Sequence, residues 1–130
     1  MVRDYGLTKL GHQAAPDRKL ETFPSRSRPG SLTVQLHCTE FTCRCPVTGQ
    51  PDWAQIDIEY VPDQSVVESK SLKLYLETYR DEGIFHEHLA QVVLDDFVAA
   101  ARPLSCTVTV CFNVRGGIAI TAVVSYRREA

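Results

Sequence analysis

The segment from Cys45 to Asp52 combines a thiol and a carboxylate in a loop whose composition favours a tight reversal. Asp52 lies seven residues after Cys45, and Pro46, Gly49 and Pro51 stand between them. A thiolate is a strong nucleophile near neutral pH, but a free thiol is mostly protonated there and needs a base. Because seven extended residues would span about 20 Å, the loop must curl to bring the two groups together. We therefore predict that Cys45 is a nucleophile and that Asp52 is its acid and base.

Two other interpretations of these residues stay open on the pattern alone. On the residues alone, the segment fits an ordinary connection between strands that carries a surface cysteine better than it fits a catalytic loop. Thiols and imidazoles are also the usual ligands of zinc, and the chain offers His37, Cys38, Cys43, Cys45, His86 and His88. No Cys-x-x-Cys or His-x-x-x-His pair occurs among them, so we predict no metal site.

A second segment, Glu68-Ser-Lys-Ser-Leu-Lys-Leu-Tyr75, is suited to holding phosphates. If it is helical, Lys70 and Lys73 are three residues apart and share a face, where two ammonium groups could grip a phosphorylated cofactor. The alternative is a solvated helix face, with Lys73 paired to Glu77 and with Glu68 as a cap. The chain has no Gly-x-Gly-x-x-Gly fingerprint, so any dinucleotide must bind outside a Rossmann-type site.

Hydrophobic periodicity predicts the elements that position these segments. Alternating apolar residues predict one strand beginning near Ser31 and another over residues 55–60. Ser65 and Glu68 have the form of a capping box and predict a helix through Tyr79. Helical spacing predicts a second helix, and alternation predicts two final strands joined by a glycine turn. These last elements are His86 to Ala101, Cys106 to Asn113 and Ile118 to Tyr126, with the turn at Arg115-Gly116-Gly117.

The order of elements predicts an α+β fold, a four-stranded antiparallel sheet with two helices on one face. Such a sheet has two unpaired edges, which favour association with further subunits, so we expect a homo-oligomer. Residues 1–30 contain three of the seven prolines and show no periodicity, which predicts an extended arm that is disordered at its start. Residues 31–130 then form one catalytic domain.

Composition limits the classes of function. The chain has 130 residues, 44% of them hydrophobic, and a formal net charge of -2, which gives no electrostatic reason to bind nucleic acid or a membrane. It has no apolar run near the ~18 residues of a spanning helix and no apolar stretch at its start, so we expect a cytoplasmic protein. Five cysteines, an odd number, are expected to be free thiols in that compartment.

The sequence resembles the NADPH-dependent nitrile reductases that act on 7-cyano-7-deazaguanine in queuosine biosynthesis. The resemblance runs from Ser31 to Tyr126 and is strongest at residues 41–52, at residues 68–75 and at Phe85-His86-Glu87. It implies the tunnelling fold, whose subunits join edge to edge. It further implies a ring of pentamers with active sites between subunits.

The resemblance also implies a role for each candidate residue. Cys45 adds to the nitrile to form a covalent thioimide, Asp52 shuttles protons and His86 assists, while two NADPH deliver two hydrides in turn. On the residues alone Glu87 is simply a favourable acid in a first helical turn, but the resemblance makes it the anchor of the base. Ser69 and Glu68 join Glu87 at the substrate. The implied cofactor-binding residues are Lys70, Ser71, Lys73, Tyr75, Arg115, Gly116 and Gly117.

Three rival functions share parts of this pattern. An amidine-forming enzyme would capture the same thioimide with ammonia, but the lysine segment argues against it. A zinc-dependent GTP or pterin cyclohydrolase has the same fold, and a non-enzymatic ring-forming module would leave Cys45 and Asp52 without a purpose. Some relatives carry a second cysteine at the position of Leu89 that caps the nucleophile as a disulfide. Here only Cys43 or Cys38 could substitute.

Overall fold

The structure, a computed structural model, describes residues 5–129. This part of the chain is an α+β unit, as predicted. The expected disorder at the start of the arm concerns residues 1–4, which lie outside the described residues. In chain order the elements are β1 (Thr22–Pro24), β2 (Val34–Arg44), β3 (Pro51–Val61), β4 (Ser65–Val67), α1 (Ser69–Glu77), α2 (His86–Ala101), β5 (Ser105–Phe112) and β6 (Thr121–Arg127).

The main sheet confirms the predicted architecture. It has four strands in the order β2-β3-β5-β6, and every neighbouring pair is antiparallel. Helix α1 packs near β2, while α2 packs on β5 and β6. Strands β2 and β6 are the two edges of this sheet. Within residues 5–129 no helix combines the length and the apolarity needed to cross a membrane.

The core lies between the helices and one face of the sheet. Alternate side chains of β3, from Ala54 to Tyr60, are buried on that face. They pack with apolar side chains of α2 such as Leu89 and Phe97, whose ring meets that of Tyr60 edge-on at 4.8 Å between centroids. The buried row of β3 continues by two residues to Asp52, so a carboxylate occupies the end of an apolar row. This placement joins the core to the Cys45 loop.

The predicted capping box at Ser65 is wrong. Ser65–Val67 forms β4, which pairs antiparallel with β1, because its two valines favour an extended backbone and β1 supplies the partner strand. Helix α1 begins at Ser69, and the buried carboxylate of Glu68 is its N-cap. That carboxylate accepts hydrogen bonds from the backbone N–H groups of Lys70 and Ser71, at 2.6 and 2.9 Å.

The described part of the N-terminal segment is fixed against α1. The buried carboxylate of Glu21 accepts hydrogen bonds from the backbone N–H groups of Thr8 and Lys9. Its backbone N–H donates to the hydroxyl of Ser71 at 3.0 Å. Lys9, itself buried, pairs with Asp17 at 3.1 Å. These contacts connect the segment to the helix that carries the lysines, and the division of the chain into residues 1–30 and 31–130 stays a prediction.

Candidate active site

The Cys45 loop is a closed turn between β2 and β3. The backbone N–H of Cys45 donates to the carbonyl of Gln50 at 2.8 Å, and the N–H of Gly49 donates back to the carbonyl of Cys45 at 2.9 Å. Gly49 has φ of +72°, which a residue with a side chain rarely adopts. The curl that the sequence requires is therefore confirmed, and its glycine has a conformational reason.

The segment before α2 supports this loop from the side. Arg44 donates its backbone N–H to the carbonyl of Glu82 at 2.9 Å and accepts from the N–H of Ile84 at 3.1 Å. A Cβ on Gly83 would lie 2.9 Å from the Cα of Pro46, closer than real contacts allow. Gly83 is thus the residue that lets the two backbones approach each other.

Asp52 lies at the centre of a polar cluster. It is only 2% exposed, and one carboxylate oxygen accepts a hydrogen bond from Arg115 at 2.6 Å. The other oxygen lies 3.3 Å from Nε2 of His86, whose ring stacks on that of Phe112 at 3.6 Å. A second guanidinium nitrogen of Arg115 donates to the side chain of Gln50 at 3.0 Å. The fold therefore brings a buried acid, an imidazole and a cation to the end of the Cys45 loop.

Cys45 is the thiol suited to act as a nucleophile. The hydroxyl of Thr48 and the backbone N–H groups of Thr48 and Val47 lower its pKa to about 7 against the opposing effect of burial, and the side chain of Arg115 contributes the smallest lowering. Cys45 therefore carries the thiolate at neutral pH to a greater extent than an ordinary cysteine does. Sequence reasoning missed Thr48. The available signal was a hydroxyl three residues after the cysteine in the same turn.

Two other thiols are much less reactive. Burial, followed by the charges of Asp52 and Cys45, raises the pKa of Cys43 to about 11. Burial alone raises the pKa of Cys106 to about 12. All five cysteines are free thiols in the structure. Neither candidate for capping Cys45 is well placed: Cys43 is fully buried and holds its proton tightly, and Cys38 lies seven residues before Cys45 along the extended strand β2, roughly 20 Å away.

The histidines and cysteines considered as zinc ligands do not form one cluster among residues 5–129. His37 pairs with Asp57 on an exposed part of the sheet, and His88 packs edge-on against Phe85 at 5.7 Å between ring centroids. Among residues 5–129, no three His, Cys, Asp or Glu side chains are grouped so that they could hold a metal ion.

The exposed members of the lysine segment face a cavity of about 770 Å³. Ser69 and Lys73 line it from α1, together with Trp53, Asn113 and Arg80, which sequence reasoning missed. Within residues 5–129 the ammonium of Lys73 has no ion pair or hydrogen bond to the protein, so the predicted alternative pair with Glu77 does not form. Lys73 is therefore available to an anion in this cavity.

The remaining members of the segment hold the fold together. The amino group of Lys70 donates to the carbonyl of His12 at 2.5 Å, and the buried hydroxyl of Ser71 donates to the carbonyl of Glu68 at 2.7 Å. Tyr75 is fully buried, and its hydroxyl donates to Asp96 of α2 at 2.5 Å. A buried hydroxyl of this kind fixes α1 against α2.

The glycine turn before β6 confirms the predicted hairpin. Arg115 and Ile118 exchange both backbone hydrogen bonds at 3.0 Å, and Gly116 and Gly117 have φ of +57° and +80°. Positive φ at both central residues is the requirement of the tightest hairpin turns. The turn, together with His86, lines a second cavity of about 400 Å³.

The structure brings some predicted site residues together and leaves others apart. Asp52, His86 and Arg115 form one cluster beside Cys45. Glu87 lies next to His86 in the first turn of α2 and is exposed. Ser69 and Lys73 line a separate cavity, although Asn113 lines both cavities and so connects them.

Comparison with known proteins gives a consistent result. Residues 51–130 match the model of a family described as "QueF-like protein". A protein of Frankia casuarinae called NADPH-dependent 7-cyano-7-deazaguanine reductase is 61% identical over 125 residues, which cover 95% of this chain and 98% of that protein. A protein of the same name from Syntrophus aciditrophicus is 57% identical, covering 94% of this chain and 87% of that protein.

A solved structure is similar as well. The crystal structure of an apo archaeosine synthase, QueF-Like, superposes with a TM-score of 0.69. It is 26% identical and covers 75% of this chain and 96% of the other. The chain is thus much closer in sequence to the proteins called reductases than to this synthase.

Proposed function

The chain belongs to the QueF-like protein family, and from that membership we propose that it is an oxidoreductase that reduces the nitrile of 7-cyano-7-deazaguanine to an aminomethyl group with NADPH. The relatives that are 61% and 57% identical bear the name of this reaction. The observation that carries the proposal is the placement of Cys45, a thiol with a pKa of about 7, beside a buried Asp52. The product is a precursor of queuosine, a modified nucleoside of tRNA.

Cys45 supplies the nucleophile. Its thiolate forms a bond to the nitrile carbon, one π bond of the nitrile breaks, and the electron pair goes to the nitrogen. Asp52 and His86, 3.3 Å apart, are placed to supply the proton that this nitrogen takes. The result is a thioimide on Cys45. Balance for the whole reaction requires one nitrile, two NADPH and two protons, and yields one amine and two NADP⁺.

NADPH, when bound, supplies the two hydrides. The cavity of about 770 Å³ suits part of such a cofactor, since Lys73 offers it an unpaired cation and Ser69 a hydroxyl. Lys70, Ser71 and Tyr75 belong to the same segment and hold α1 in place. Lys70 and Ser71 contact the N-terminal arm, and Tyr75 contacts α2. The turn at residues 115–117 completes the proposed cofactor-binding set from the other cavity.

Recognition of the deazaguanine base is assigned to Glu87. An ionised carboxylate accepts two hydrogen bonds, and the guanine-like edge offers a ring N–H and an exocyclic amine that donate them. Glu87 is exposed, so its oxygens are open to a ligand. Ser69 and Glu68 are proposed to assist, Glu68 by holding the start of α1 as its N-cap.

We propose that the active form is a homo-oligomer, a ring of pentamers with active sites between subunits, and that it acts in the cytoplasm. The support is the pair of sheet edges, β2 and β6, that neighbouring subunits can extend. Apolar side chains are exposed near one of them, Val123 on β6 and Ile118 just before it. Native mass spectrometry should show multiples of five chains, and a stable monomer would contradict the assembly.

Adduct formation tests the function most directly. With nitrile and no NADPH, the intact mass should rise by one substrate, and Cys45→Ala should abolish both the adduct and turnover. Cys38→Ala and Cys111→Ala serve as matched thiol controls and should keep both. Adding NADPH should release the amine and consume two NADPH for each amine. An adduct that persists in Cys45→Ala would show a different nucleophile, and release of an amidine with ammonia would favour the synthase reaction instead.

A further inference from the structure

The face of α1 that lines the large cavity continues beyond the end of the helix to Arg80. Ser69, Lys73 and Glu77 line the cavity of about 770 Å³, each four residues after the one before, and Arg80 lines it three residues further on. Residues spaced three and four apart occupy one face of a helix. The backbone N–H of Arg80 donates to the carbonyl of Glu77 at 3.2 Å, which continues the helical path past the last residue of α1. Arg80 is therefore aligned with the lysine segment although it lies outside it.

The guanidinium of Arg80 is open to a ligand. Arg80 is exposed, and within residues 5–129 its side chain has no hydrogen bond or ion pair to the protein. The nearby Arg18, in contrast, is paired with Glu82. Among the described residues, Lys73 and Arg80 are the cations that line this cavity.

We propose that Arg80 binds the 2′-phosphate of NADPH and so determines the preference for NADPH over NADH, while Lys73 contacts the pyrophosphate that the two cofactors share. The inference rests on the proposed function for the identity of the cofactor. It places a specificity-determining residue after residues 68–75, the segment by which the sequence resembles the reductases.

The two kinds of phosphate suit different cations. The 2′-phosphate is a monoester, and such a group carries a charge of about -1.5 to -2 at pH 7 and three strong acceptor oxygens. Each phosphate of the pyrophosphate carries less charge and has fewer free oxygens. A guanidinium donates two parallel hydrogen bonds to a phosphate, whereas an ammonium acts as a point charge. Arginine is accordingly the residue type suited to the monoester, and lysine is sufficient for the pyrophosphate.

The spacing of the two cations fits two separate phosphate contacts. The 2′-phosphate and the pyrophosphate are attached to different carbons of the adenosine ribose, so one cation does not serve both. Seven residues of helical backbone place Arg80 about 10 Å from Lys73 along the helix axis, and both side chains are long enough to adjust to a ligand between them. The carboxylates of Glu77 and of Glu40, from β2, also line the cavity, and neither pairs with these cations in the described part of the chain. A carboxylate there can accept a hydrogen bond from a ribose hydroxyl.

Trp53 provides a signal for binding in this cavity. It is the single tryptophan of the chain, it lines the same cavity from β3 and it is 51% exposed. An exposed aromatic ring of this kind is a surface on which a nucleotide base can stack. Ligand binding beside Trp53 should change its fluorescence, so affinity can be measured without turnover.

The test compares two adenosine ligands that differ only in the 2′-phosphate. The protein is titrated with 2′,5′-ADP and with 5′-AMP, and binding is followed by Trp53 fluorescence and by isothermal titration calorimetry. The parent should bind 2′,5′-ADP more tightly. In Arg80→Gln the Kd for 2′,5′-ADP should rise by about 10- to 150-fold, the usual effect of losing a charge-assisted hydrogen bond, while the Kd for 5′-AMP stays the same. Lys73→Ala should weaken the binding of both ligands.

Cofactor preference is the second measurement. The ratio of kcat/KM for NADPH to kcat/KM for NADH should fall in Arg80→Gln by the same factor, because NADH has no 2′-phosphate contact to lose. Lys73→Ala should lower both values of kcat/KM and leave their ratio nearly unchanged. Arg80→Lys keeps the charge without the fork and should recover the ratio in part. Arg28→Gln is the matched control and should change neither measurement, since Arg28 is an exposed arginine of the arm whose guanidinium also has no partner within residues 5–129.

The outcomes separate this site from the proposed function. Equal affinity of the parent for the two ligands, or equal losses for both in Arg80→Gln, would overturn the assignment of Arg80. A cofactor ratio that falls in Lys73→Ala and not in Arg80→Gln would overturn it as well, because the roles would be exchanged. A parent that prefers 2′,5′-ADP through Arg80 but does not reduce the nitrile refutes the proposed function and leaves the site intact. Reduction of the nitrile with the same cofactor ratio in Arg80→Gln as in the parent refutes the site alone.

Discussion

Removal of the amino group of Lys73 is the sharpest test of the cofactor segment. Lys73 is exposed on α1, lines the cavity of about 770 Å³ and has no protein partner within the described residues. Lys73→Ala therefore removes no hydrogen bond or ion pair within the described residues, and its effect on the KM for NADPH reports on the ligand. Alanine also favours the helix as strongly as lysine does, so the fold should be retained.

The expected magnitude follows from the kind of contact that is lost. A charge-assisted hydrogen bond to a phosphate contributes roughly 1.5–3 kcal/mol, which corresponds to about a 10- to 150-fold loss of affinity. The KM for NADPH should rise by that factor in Lys73→Ala. Thioimide formation should be unchanged, because it precedes any hydride transfer and needs only Cys45 and its cluster.

Lys70 provides a contrast within the same helix. Its amino group already donates to the carbonyl of His12, so a phosphate would have to displace that bond. Lys70→Ala should therefore raise the KM for NADPH less than Lys73→Ala does. Lys19→Ala, an exposed lysine on the arm, is the control for loss of a positive charge and should leave the KM unchanged.

The assay combines initial rates of NADPH oxidation with intact-protein mass. Rates are measured at several salt concentrations, since added salt screens an exposed charge pair. Salt should weaken NADPH binding in the parent more than in Lys73→Ala. If both lysine variants lose the thioimide while NADPH affinity stays normal, the lysines contact the substrate and the cofactor assignment is refuted.

Three further changes test the parts that position the chemistry. Asp52→Asn should still bind nitrile but lose about 10²–10⁴-fold in the rate of adduct formation, measured by rapid-quench mass spectrometry; a normal rate would remove Asp52 as the acid and base. Gly83→Ala places a Cβ against the backbone of Pro46, so adduct formation should slow by about 10-fold or more, with the KM for NADPH unchanged as the internal control. Tyr75→Phe loses its bond to Asp96 and should lower the free energy of unfolding in urea by about 1.5–3 kcal/mol; equal stability would show that this bond does not hold α1 to α2.

The sequence was sufficient for the main architecture because strong periodicity determined it. The alternation of Ile56, Ile58 and Tyr60 placed β3 correctly, and the apolar stripe placed α2 from His86 to Ala101 as observed. The start of α1 was mispredicted, since Ser65 and Glu68 satisfy a capping pattern that pairing with β1 overrides. Strand pairing between distant segments is decided by tertiary contacts, which a local pattern does not contain.

Within the site, the sequence indicated which residues take part better than it indicated which side chains contact each other. Cys45 and Asp52 could be selected because a thiol and a carboxylate flank a loop that must curl. The bond from Arg115 to Asp52 joins residues 63 positions apart, and no spacing rule connects them. The role of Gly83, where a Cβ would meet the backbone of Pro46, follows from no pattern in the sequence. Such roles depend on which backbones pass close to each other.

The lysine segment contains two kinds of residue, exposed ones that line a cavity and buried ones that contact the rest of the fold. Its residues divide between a face of α1 that lines the cavity and a face that packs against the rest of the fold. Ser69 and Lys73 line the cavity, whereas Ser71 and Tyr75 are fully buried and contact the arm and α2. A helix repeats every 3.6 residues, so positions two and six residues after Ser69 cannot share its face. The buried residues of the segment therefore serve to fix the orientation of the exposed ones. Tyr75→Phe should accordingly lower the free energy of unfolding, whereas Lys73→Ala should lower the affinity for NADPH.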